Sequence, residues 1–305
     1  MEYVLTTDAL TKEYGKTQVL KGIDLQIPSG SIFGLVGRNG AGKTTLMRVI
    51  TGLQEPSSGT YTLSGVKNTD RRIYGIRRRM GSLVEVPALY RNMSARNNLK
   101  IQYLNLGMTD DKGIDELLSL VGLEDAGKKA AGKFSLGMRQ RLGIAVSMCG
   151  NPDIMVLDEP INGLDPQGII EMRELLMKIN RERDTTILIS SHILDELSRL
   201  ATHYAFIENG MILEQLSSEE LLSRVRKSSE IRVDDVRGMC RILDDLGLTY
   251  EIAEGDRIDI FGDVTVSRLV LAAAKENIEV ISVREKDENL EGYFMNLVGS
   301  GEKKR

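Results

Sequence analysis

Residues 31–50 read SIFGLVGRNGAGKTTLMRVI, in which an apolar strand-like run, a glycine-rich loop and a helix-like segment follow one another directly. The loop, Gly37 to Thr44, fits the phosphate-binding pattern G-x-x-x-x-G-K-[ST] in the context that pattern requires. Its glycines let backbone N–H groups surround phosphate oxygens at the positive end of the next helix. We expect Lys43 to reach the β- and γ-phosphates of a nucleotide and Thr44 to offer its hydroxyl to Mg²⁺.

A second element stands downstream in IMVLDEP, residues 154–160, an apolar strand that ends in two carboxylates. Together with TTILISS, residues 185–191, it is a short non-alternating strand of the kind that fills a parallel sheet covered by helices on both faces. Asp158 at the strand tip suits the metal, and Glu159 one position further suits a general base that polarises the attacking water. An isolated Asp-Glu pair could equally be a solvated strand end, so the phosphate loop carries this assignment.

The chain of 305 residues is long enough for about two domains. Residues 1–218 alternate strands and helices, with strands expected at 4–10, 20–27 and 31–37, a helix at 41–53 and a helical insertion at about 87–150. Residues 219–228 are polar and are interpreted as a linker. Residues 229–305 predict the order β-α-β-β-α-β, the ferredoxin-like split βαβ, followed by a final helix with Leu290, Tyr293, Phe294 and Leu297 along one stripe.

Composition excludes several classes of protein. The net charge is -4, so the chain has no whole-protein basic footprint for nucleic acid. No apolar run approaches the roughly 20 residues of a membrane-spanning helix. The acidic start MEYVL lacks a signal-peptide core, and two cysteines without metal-ligand spacing indicate free buried thiols, so we expect a cytoplasmic protein.

The order of these motifs over residues 4–218 resembles the nucleotide-binding subunit of ATP-binding cassette (ABC) transporters. The resemblance implies an α/β fold with a P-loop NTPase (RecA-like) core, an antiparallel β subdomain and the helical insertion, followed by the small C-terminal α+β domain. It also implies ATP and Mg²⁺ as cofactors and Tyr14 as the ring that stacks on adenine. The remaining ATP-binding positions that it implies are Gly37, Arg38, Asn39, Gly40, Ala41, Gly42, Lys43, Thr44 and Thr45.

The signature segment of that family matches FSLGMRQ, residues 134–140. Ser135 and Gly137 precede a predicted helix at 138–148, so a hydroxyl and free N–H groups would form an anion site there. In the family this segment completes the ATP site of a second subunit, which implies a head-to-tail dimer, of identical or closely paralogous chains, with two ATPs at its interface. The signature positions contributed in trans would be Ser135, Leu136, Gly137, Met138, Arg139 and Gln140.

The resemblance assigns catalysis to Lys43, Glu159 and the switch histidine His192, and the D-loop to Asp165. His192 alone could be a structural histidine after an apolar strand, the role expected for His203. Glu85 stands where the family has glutamine, and Leu136 and Met138 replace smaller or polar signature residues. Both departures resemble the lantibiotic-immunity and bacitracin-type exporters. The expected metal set is Thr44, Asp158 and Glu85.

The function implied is ATP hydrolysis that powers a separately encoded membrane permease, with export of a peptide antibiotic or another toxic compound. The loop at 85–97 would dock on the permease, and the protein would lie peripherally on the inner face of the membrane. An ATP-dependent regulatory or sensory subunit remains an alternative. A DNA-associated ATPase with the same catalytic parts would need a coiled-coil insertion or a basic face, and we expect no nucleic-acid partner.

Overall fold

A computed structural model describes residues 2–224, 227–253, 256–261, 265–287 and 290–302. The chain divides into two compact units, Met1–Ser218 and Glu219–Arg305. Residues 225 and 226 of the predicted linker lie outside the described residues. Among the residues that are described, no helix is long and apolar enough to cross a bilayer.

The elements of the first unit, in chain order, are β1 (Tyr3–Tyr14), β2 (Thr17–Pro28), β3 (Ile32–Val36), α1 (Lys43–Ile50), β4 (Ser58–Leu63), β5 (Val66–Lys67), α2 (Ile73–Arg77), β6 (Met80–Leu83), α3 (Ala95–Asn105), α4 (Gly113–Leu120), α5 (Leu136–Ser147), β7 (Ile154–Asp158), α6 (Pro166–Arg183), β8 (Thr186–Ser191), α7 (Leu194–Ser198), β9 (His203–Glu208) and β10 (Met211–Ser217). Helices α3, α4 and α5 fall between β6 and β7, within the segment predicted as a helical insertion.

A six-stranded sheet in the order β10-β9-β3-β8-β7-β6 forms the centre of this unit. All its pairings are parallel except β9 with β10. Every residue of β3, β7 and β8 is buried, which explains why their sequences are apolar without alternation. Because β3, β8 and β7 are neighbours and run parallel, their carboxyl-terminal ends lie together along one edge of the sheet. The predicted parallel sheet is confirmed.

A second sheet, in the order β2-β1-β4-β5, is antiparallel. Its first two strands are longer than the sequence predicted, since β1 continues from residue 10 to Tyr14 and β2 begins at Thr17. The side chains of these extensions are mostly polar and exposed or half-buried, so they lack the apolar pattern from which a strand is predicted. Leu5, Leu25 and Tyr61 from this sheet join Phe33 and Met47 in a shared hydrophobic core.

Two helix starts differ from the predicted ones. Helix α1 begins at Lys43 rather than at residue 41, because Gly42 at its N-cap has a φ of 112°, a left-handed conformation outside the helix. Helix α5 begins at Leu136 rather than at residue 138, because the Ser135 hydroxyl caps it by accepting from the Met138 N–H at 3.2 Å. Gly137 therefore lies within the first turn instead of preceding the helix.

Beyond a helix at Ser218–Arg224, which we number α8, the second unit contains β11 (Lys227–Val233), α9 (Val236–Asp245), β12 (Thr249–Ile252), β13 (Arg257–Phe261), α10 (Val266–Lys275), β14 (Val280–Asp287) and α11 (Leu290–Glu302). Its antiparallel sheet has the order β12-β13-β11-β14. This is the ferredoxin-like arrangement that the sequence predicted. Ile231, Met239 and Leu269 join strand and helices in a separate core. In α11, Leu290 and Phe294 of the predicted stripe are buried, while Tyr293 and Leu297 are half-buried.

Candidate functional site

The phosphate-binding loop leaves β3 and enters α1 at the edge where β7 and β8 also end. Arg38, Asn39 and Gly40 are exposed at its tip, whereas Gly37, Ala41 and Gly42 are buried and Thr44 and Thr45 are half-buried. The Lys43 side chain is only 6% exposed, and its ammonium donates to the carbonyl oxygens of Gly37 at 2.6 Å and Arg38 at 3.3 Å. The loop therefore folds around a lysine charge, an arrangement suited to an anion.

Asp158, at the end of β7, links this loop to the neighbouring strand. Its Oδ2 accepts from the Thr44 hydroxyl at 2.7 Å, and its Oδ1 accepts from the Ser190 hydroxyl on β8 at 2.6 Å. The carboxylate is almost fully buried, so both oxygens depend on these donors. The sequence analysis brought Thr44 and Asp158 together but missed Ser190, although its place at the end of an apolar strand was visible.

Glu159 extends from the next position toward two of the predicted catalytic residues. Its Oε1 lies 3.6 Å from the Lys43 Nζ, and its Oε2 lies 2.6 Å from the His192 Nδ1 and 3.3 Å from the His192 backbone N. Glu159 has a φ of 51°, a left-handed backbone that is uncommon outside glycine. The structure thus brings Lys43, Glu159 and His192 together, with Thr44 and Asp158 adjacent. A carboxylate held between a lysine and a histidine beside a phosphate loop is placed to accept a proton from water.

The signature and D-loop residues share a different cleft, of about 340 Å³. Ser135, Leu136, Gly137 and Arg141 line one side, and residues 163–165 with the start of α6 line the other. Asp165 is the N-cap of α6 and accepts from the Gly168 N–H at 3.1 Å. Among the described residues, none of the phosphate loop lines this cleft. Within one chain, the signature is therefore separate from the loop that it is expected to complement.

The other signature residues belong to the first turn of α5. Leu136 is exposed, Met138 is half-buried, and Arg139 donates to the Phe134 carbonyl. Gln140 is buried, and its Oε1 finds no hydrogen-bond partner among the described residues. Leu136, which replaces a smaller or polar residue of the family signature, thus exposes an apolar side chain beside Ser135.

Tyr14 lies at the end of β1, where the hairpin turns into β2. Its ring is 43% exposed, its hydroxyl donates to the Gln54 side chain, and the Lys12 ammonium lies 5.4 Å from the ring centroid. A hydroxyl held at one end fixes the ring while leaving aromatic surface in solvent. This placement suits stacking on a base.

Glu85 pairs with a residue that the sequence analysis did not single out. Its carboxylate, 54% exposed, forms an ion pair with Arg48 in the last turn of α1. Its φ is 67°, so the backbone turns sharply at this position. Among the described residues, no hydrogen bond or ion pair joins Glu85 to Thr44 or Asp158. The structure therefore brings together two of the three residues expected to hold the metal, and places Glu85 with Arg48.

The donor set suits a hard cation. The Thr44 hydroxyl and the Asp158 carboxylate are oxygen ligands, and Mg²⁺ characteristically takes one or two protein oxygens together with phosphates and waters. No cluster of three or more His, Cys, Asp or Glu residues that could hold a metal occurs in the part of the chain that the structure describes. These residues therefore fit an ion that is bound together with nucleotide phosphates.

Of the two cysteines predicted to be free buried thiols, Cys149 is buried and Cys240 is half-buried. Burial raises the pKa of the Cys149 thiol to about 12, so this thiol stays protonated and is a poor nucleophile near neutral pH. His203 stacks on Phe33 with their ring centroids 6.4 Å apart, and its Nδ1 lies 3.0 Å from the Thr202 hydroxyl. These are packing and hydrogen-bond contacts, and the structural role of His203 stays a prediction.

Comparisons with known proteins find similar sequences and a similar fold. The family model described as "ABC transporter" matches residues 20–162. The bacitracin transport ATP-binding protein BcrA of Enterococcus faecalis is 39% identical over 303 residues, which cover 99% of this chain and 98% of that protein. The lantibiotic transport ATP-binding protein SrtF of Streptococcus pyogenes is 40% identical over 235 residues, covering 73% of this chain and all of SrtF.

Among solved structures, an ATP-binding cassette in a dimeric post-hydrolysis state with ADP and Pi aligns with a TM-score of 0.64. The alignment covers 70% of this chain and 98% of that chain at 23% sequence identity. A likeness at this level supports the fold of the first unit.

Proposed function

Because this chain belongs to the family of ABC transporter ATP-binding proteins, we propose that it binds MgATP through the phosphate loop and hydrolyses it with Glu159 as the general base. The observation that carries the proposal is the Glu159 carboxylate, held between Lys43 and His192 at the edge of the sheet where the phosphate loop begins. Each of these groups has a distinct part in the reaction.

Binding rests on the loop and on Lys43. Backbone N–H groups of residues 37–45 surround the β- and γ-phosphates, and the Lys43 ammonium neutralises their charge. The ammonium donates to two loop carbonyls, and these bonds hold it within the loop. Tyr14 stacks on the adenine and fixes the other end of the nucleotide.

Thr44 and Asp158 would hold Mg²⁺, which neutralises phosphate charge when it is bound. Glu159 accepts a proton from the attacking water through the carboxylate that now contacts Lys43 and His192. His192 orients this carboxylate by hydrogen bonds from both its backbone N–H and its side chain, with Nδ1 as donor. We also assign to His192 the γ-phosphate contact that the resemblance implies for a switch histidine.

The signature supports a dimer. Ser135 and the first turn of α5 form an anion-binding helix N-terminus that lines a cleft apart from the phosphate loop of its own chain. A second copy, or a close paralogue, arranged head to tail would bring its signature to this chain's ATP, so two ATPs lie at the interface. Asp165 lines the same cleft and lies at the same interface.

We further propose that closure and opening of this dimer drive a separate membrane permease, and that the transported compound is a peptide antibiotic. The relatives named for bacitracin and lantibiotic transport support this assignment. The segment at 85–97 is the proposed docking surface, since Val86 and Tyr90 expose apolar side chains there. The protein would then lie peripherally at the cytoplasmic face of the membrane.

Subunit mixing tests the composite site. Lys43→Ala removes the ammonium that contacts the ATP phosphates in one chain, and Ser135→Ala removes the signature hydroxyl in the other. In a head-to-tail heterodimer both defects fall in one ATP site, so the second site is intact. A mixture in equal amounts should recover up to about a quarter of the parent ATPase rate, because half of the dimers are mixed and each has one intact site. A mixture no more active than the two separate variants would contradict the arrangement, as would full activity.

A further inference from the structure

Ser190 is a fully buried hydroxyl at the centre of the site to which no role has yet been assigned. It lies on β8 opposite Asp158 in the parallel pairing of β7 with β8. Its Oγ is 2.6 Å from the Asp158 Oδ1 and 2.9 Å from the Glu159 backbone N. One hydroxyl therefore contacts both consecutive acidic residues, at the side chain of the first and at the main chain of the second.

The direction of both hydrogen bonds follows from the groups involved. An ionised carboxylate only accepts, so Ser190 donates its single hydroxyl proton to Asp158. A backbone N–H only donates, so a lone pair of the same oxygen accepts from Glu159. The two bonds use the hydroxyl in complementary ways, and an alanine at this position would leave the buried Asp158 oxygen and the Glu159 N–H without this partner.

The hydrogen bond between Ser190 and the Glu159 N–H holds the peptide group that orients the Glu159 side chain. Glu159 has a φ of 51°, in the left-handed region that a non-glycine residue adopts only when its surroundings hold it there. The bond to Ser190 fixes the backbone N–H of Glu159. His192, two residues after Ser190, contacts the Glu159 carboxylate. The backbone and the side chain of Glu159 are thus both held from β8 and the turn that follows it.

We propose that Ser190 is a positioning residue for ATP hydrolysis. It couples the orientation of the Asp158 carboxylate to the backbone of Glu159, so that the base faces the attacking water only when Asp158 is in place. This inference rests on the proposed function, in which Glu159 is the base. The adjacent Ser191 does not share the role, because its hydroxyl accepts from the Ile193 N–H at 3.0 Å within its own turn.

The test compares variants that differ only in the hydroxyl. Ser190→Thr and Ser190→Val both add bulk at a buried position, but only the first keeps an oxygen, so the ratio of their rates isolates the hydrogen bonds from any crowding. Thr186→Val is the matched control: Thr186 is a buried residue of the same strand whose hydroxyl accepts from the Gly30 N–H at 2.9 Å, at the opposite strand end.

We expect kcat for ATP hydrolysis to be 10- to 100-fold lower in Ser190→Val than in Ser190→Thr, since small misplacements of catalytic groups have effects of about this size. The Kd for ATP, measured by calorimetry, should agree within about threefold between them, because the phosphate loop is unchanged. Thr186→Val should hydrolyse ATP at the parent rate. Equal kcat values for the Ser190 pair, or a loss of ATP affinity that parallels the loss of rate, would overturn the proposal.

A double-variant cycle separates this proposal from the function on which it rests. With Glu159→Gln in the background, the ratio between the Ser190 variants should fall to about one, because the base that Ser190 positions is gone. An undiminished ratio would place the effect of Ser190 elsewhere and overturn the inference. If the parent chain and Glu159→Gln hydrolyse ATP equally, the proposed function itself fails.

Discussion

Replacing Gly37 by alanine should destabilise the first unit by about 1 kcal/mol more than the same change at Gly40, three residues further along the loop. A Cβ at Gly37 would lie 2.4 Å from the backbone oxygen of Ile207 and 2.8 Å from its Cγ2. The oxygen belongs to β9, which pairs with β3 just before the loop, so it cannot withdraw without disturbing that pairing. Overpacking costs about 1–3 kcal/mol, and a clash with backbone belongs at the upper end.

Gly40 presents the opposite situation. Its φ is 82° and no atom lies within 4 Å of the position that a Cβ would take. An alanine there is strained by about 1–2 kcal/mol, partly offset by about 0.4–1 kcal/mol from the lower entropy of the unfolded chain. The same offset applies to Gly37→Ala, so the net costs are about 2 kcal/mol for Gly37→Ala and about 1 kcal/mol for Gly40→Ala.

Urea unfolding followed by circular dichroism measures this difference. The transition that ATP shifts to higher urea belongs to the unit that binds ATP, which separates it from the unfolding of the C-terminal unit. Gly37→Ala should also weaken ATP binding, because the clash displaces the backbone carbonyl of residue 37, which accepts from Lys43. Equal destabilisation by the two changes, or a Gly37→Ala variant as stable as the parent, would show that the loop does not approach β9 as described.

Three further changes test other parts of the site. Lys43→Ala removes a charge-assisted hydrogen bond to phosphate, worth about 1.5–3 kcal/mol, so the Kd for ATP measured by calorimetry should rise roughly 10- to 150-fold; a change below threefold would contradict the role of Lys43. Glu85→Gln breaks an exposed ion pair with Arg48, so the free energy of unfolding should fall by less than about 1 kcal/mol. The Kd for ATP should stay unchanged, while the rate of permease-coupled hydrolysis changes. A tenfold change in that Kd would mean that Glu85 contacts the nucleotide directly. Truncation after Ser228 should preserve ATP affinity, since the first unit has its own core; a folded fragment that binds no ATP would show that the C-terminal unit supplies part of the site.

The sequence predicted the fold best where a functional motif lies next to an apolar strand or a helical pattern. The phosphate loop between an apolar run and a helical pattern predicted β3 and α1, and the apolar runs before Asp158 and His192 predicted β7 and β8. The order of the six strands was not predictable, because parallel pairing joins segments far apart in the chain. The split βαβ order of the second unit was predictable because its strands alternate with amphipathic helices at short spacing.

Which residues form the site was easier to predict than which of them contact one another. A serine at the end of an apolar strand is common, and only the register of β8 with β7 shows that Ser190 faces Asp158. The Arg48 partner of Glu85 depends on where α1 ends relative to the segment after β6, which no local pattern specifies. The signature cleft likewise depends on the packing of α5 against the loop before α6.

Glu159→Gln tests the central claim most directly. The amide keeps the size of the side chain and removes its capacity to accept a proton, so ATP should still bind while hydrolysis falls by about 10²- to 10⁴-fold. Size exclusion with light scattering should then show a dimer in the presence of MgATP and a monomer without it, because the bound nucleotide is no longer cleaved. Hydrolysis at the parent rate would contradict the assignment of Glu159 as the base, and a monomer with ATP bound would contradict the composite site.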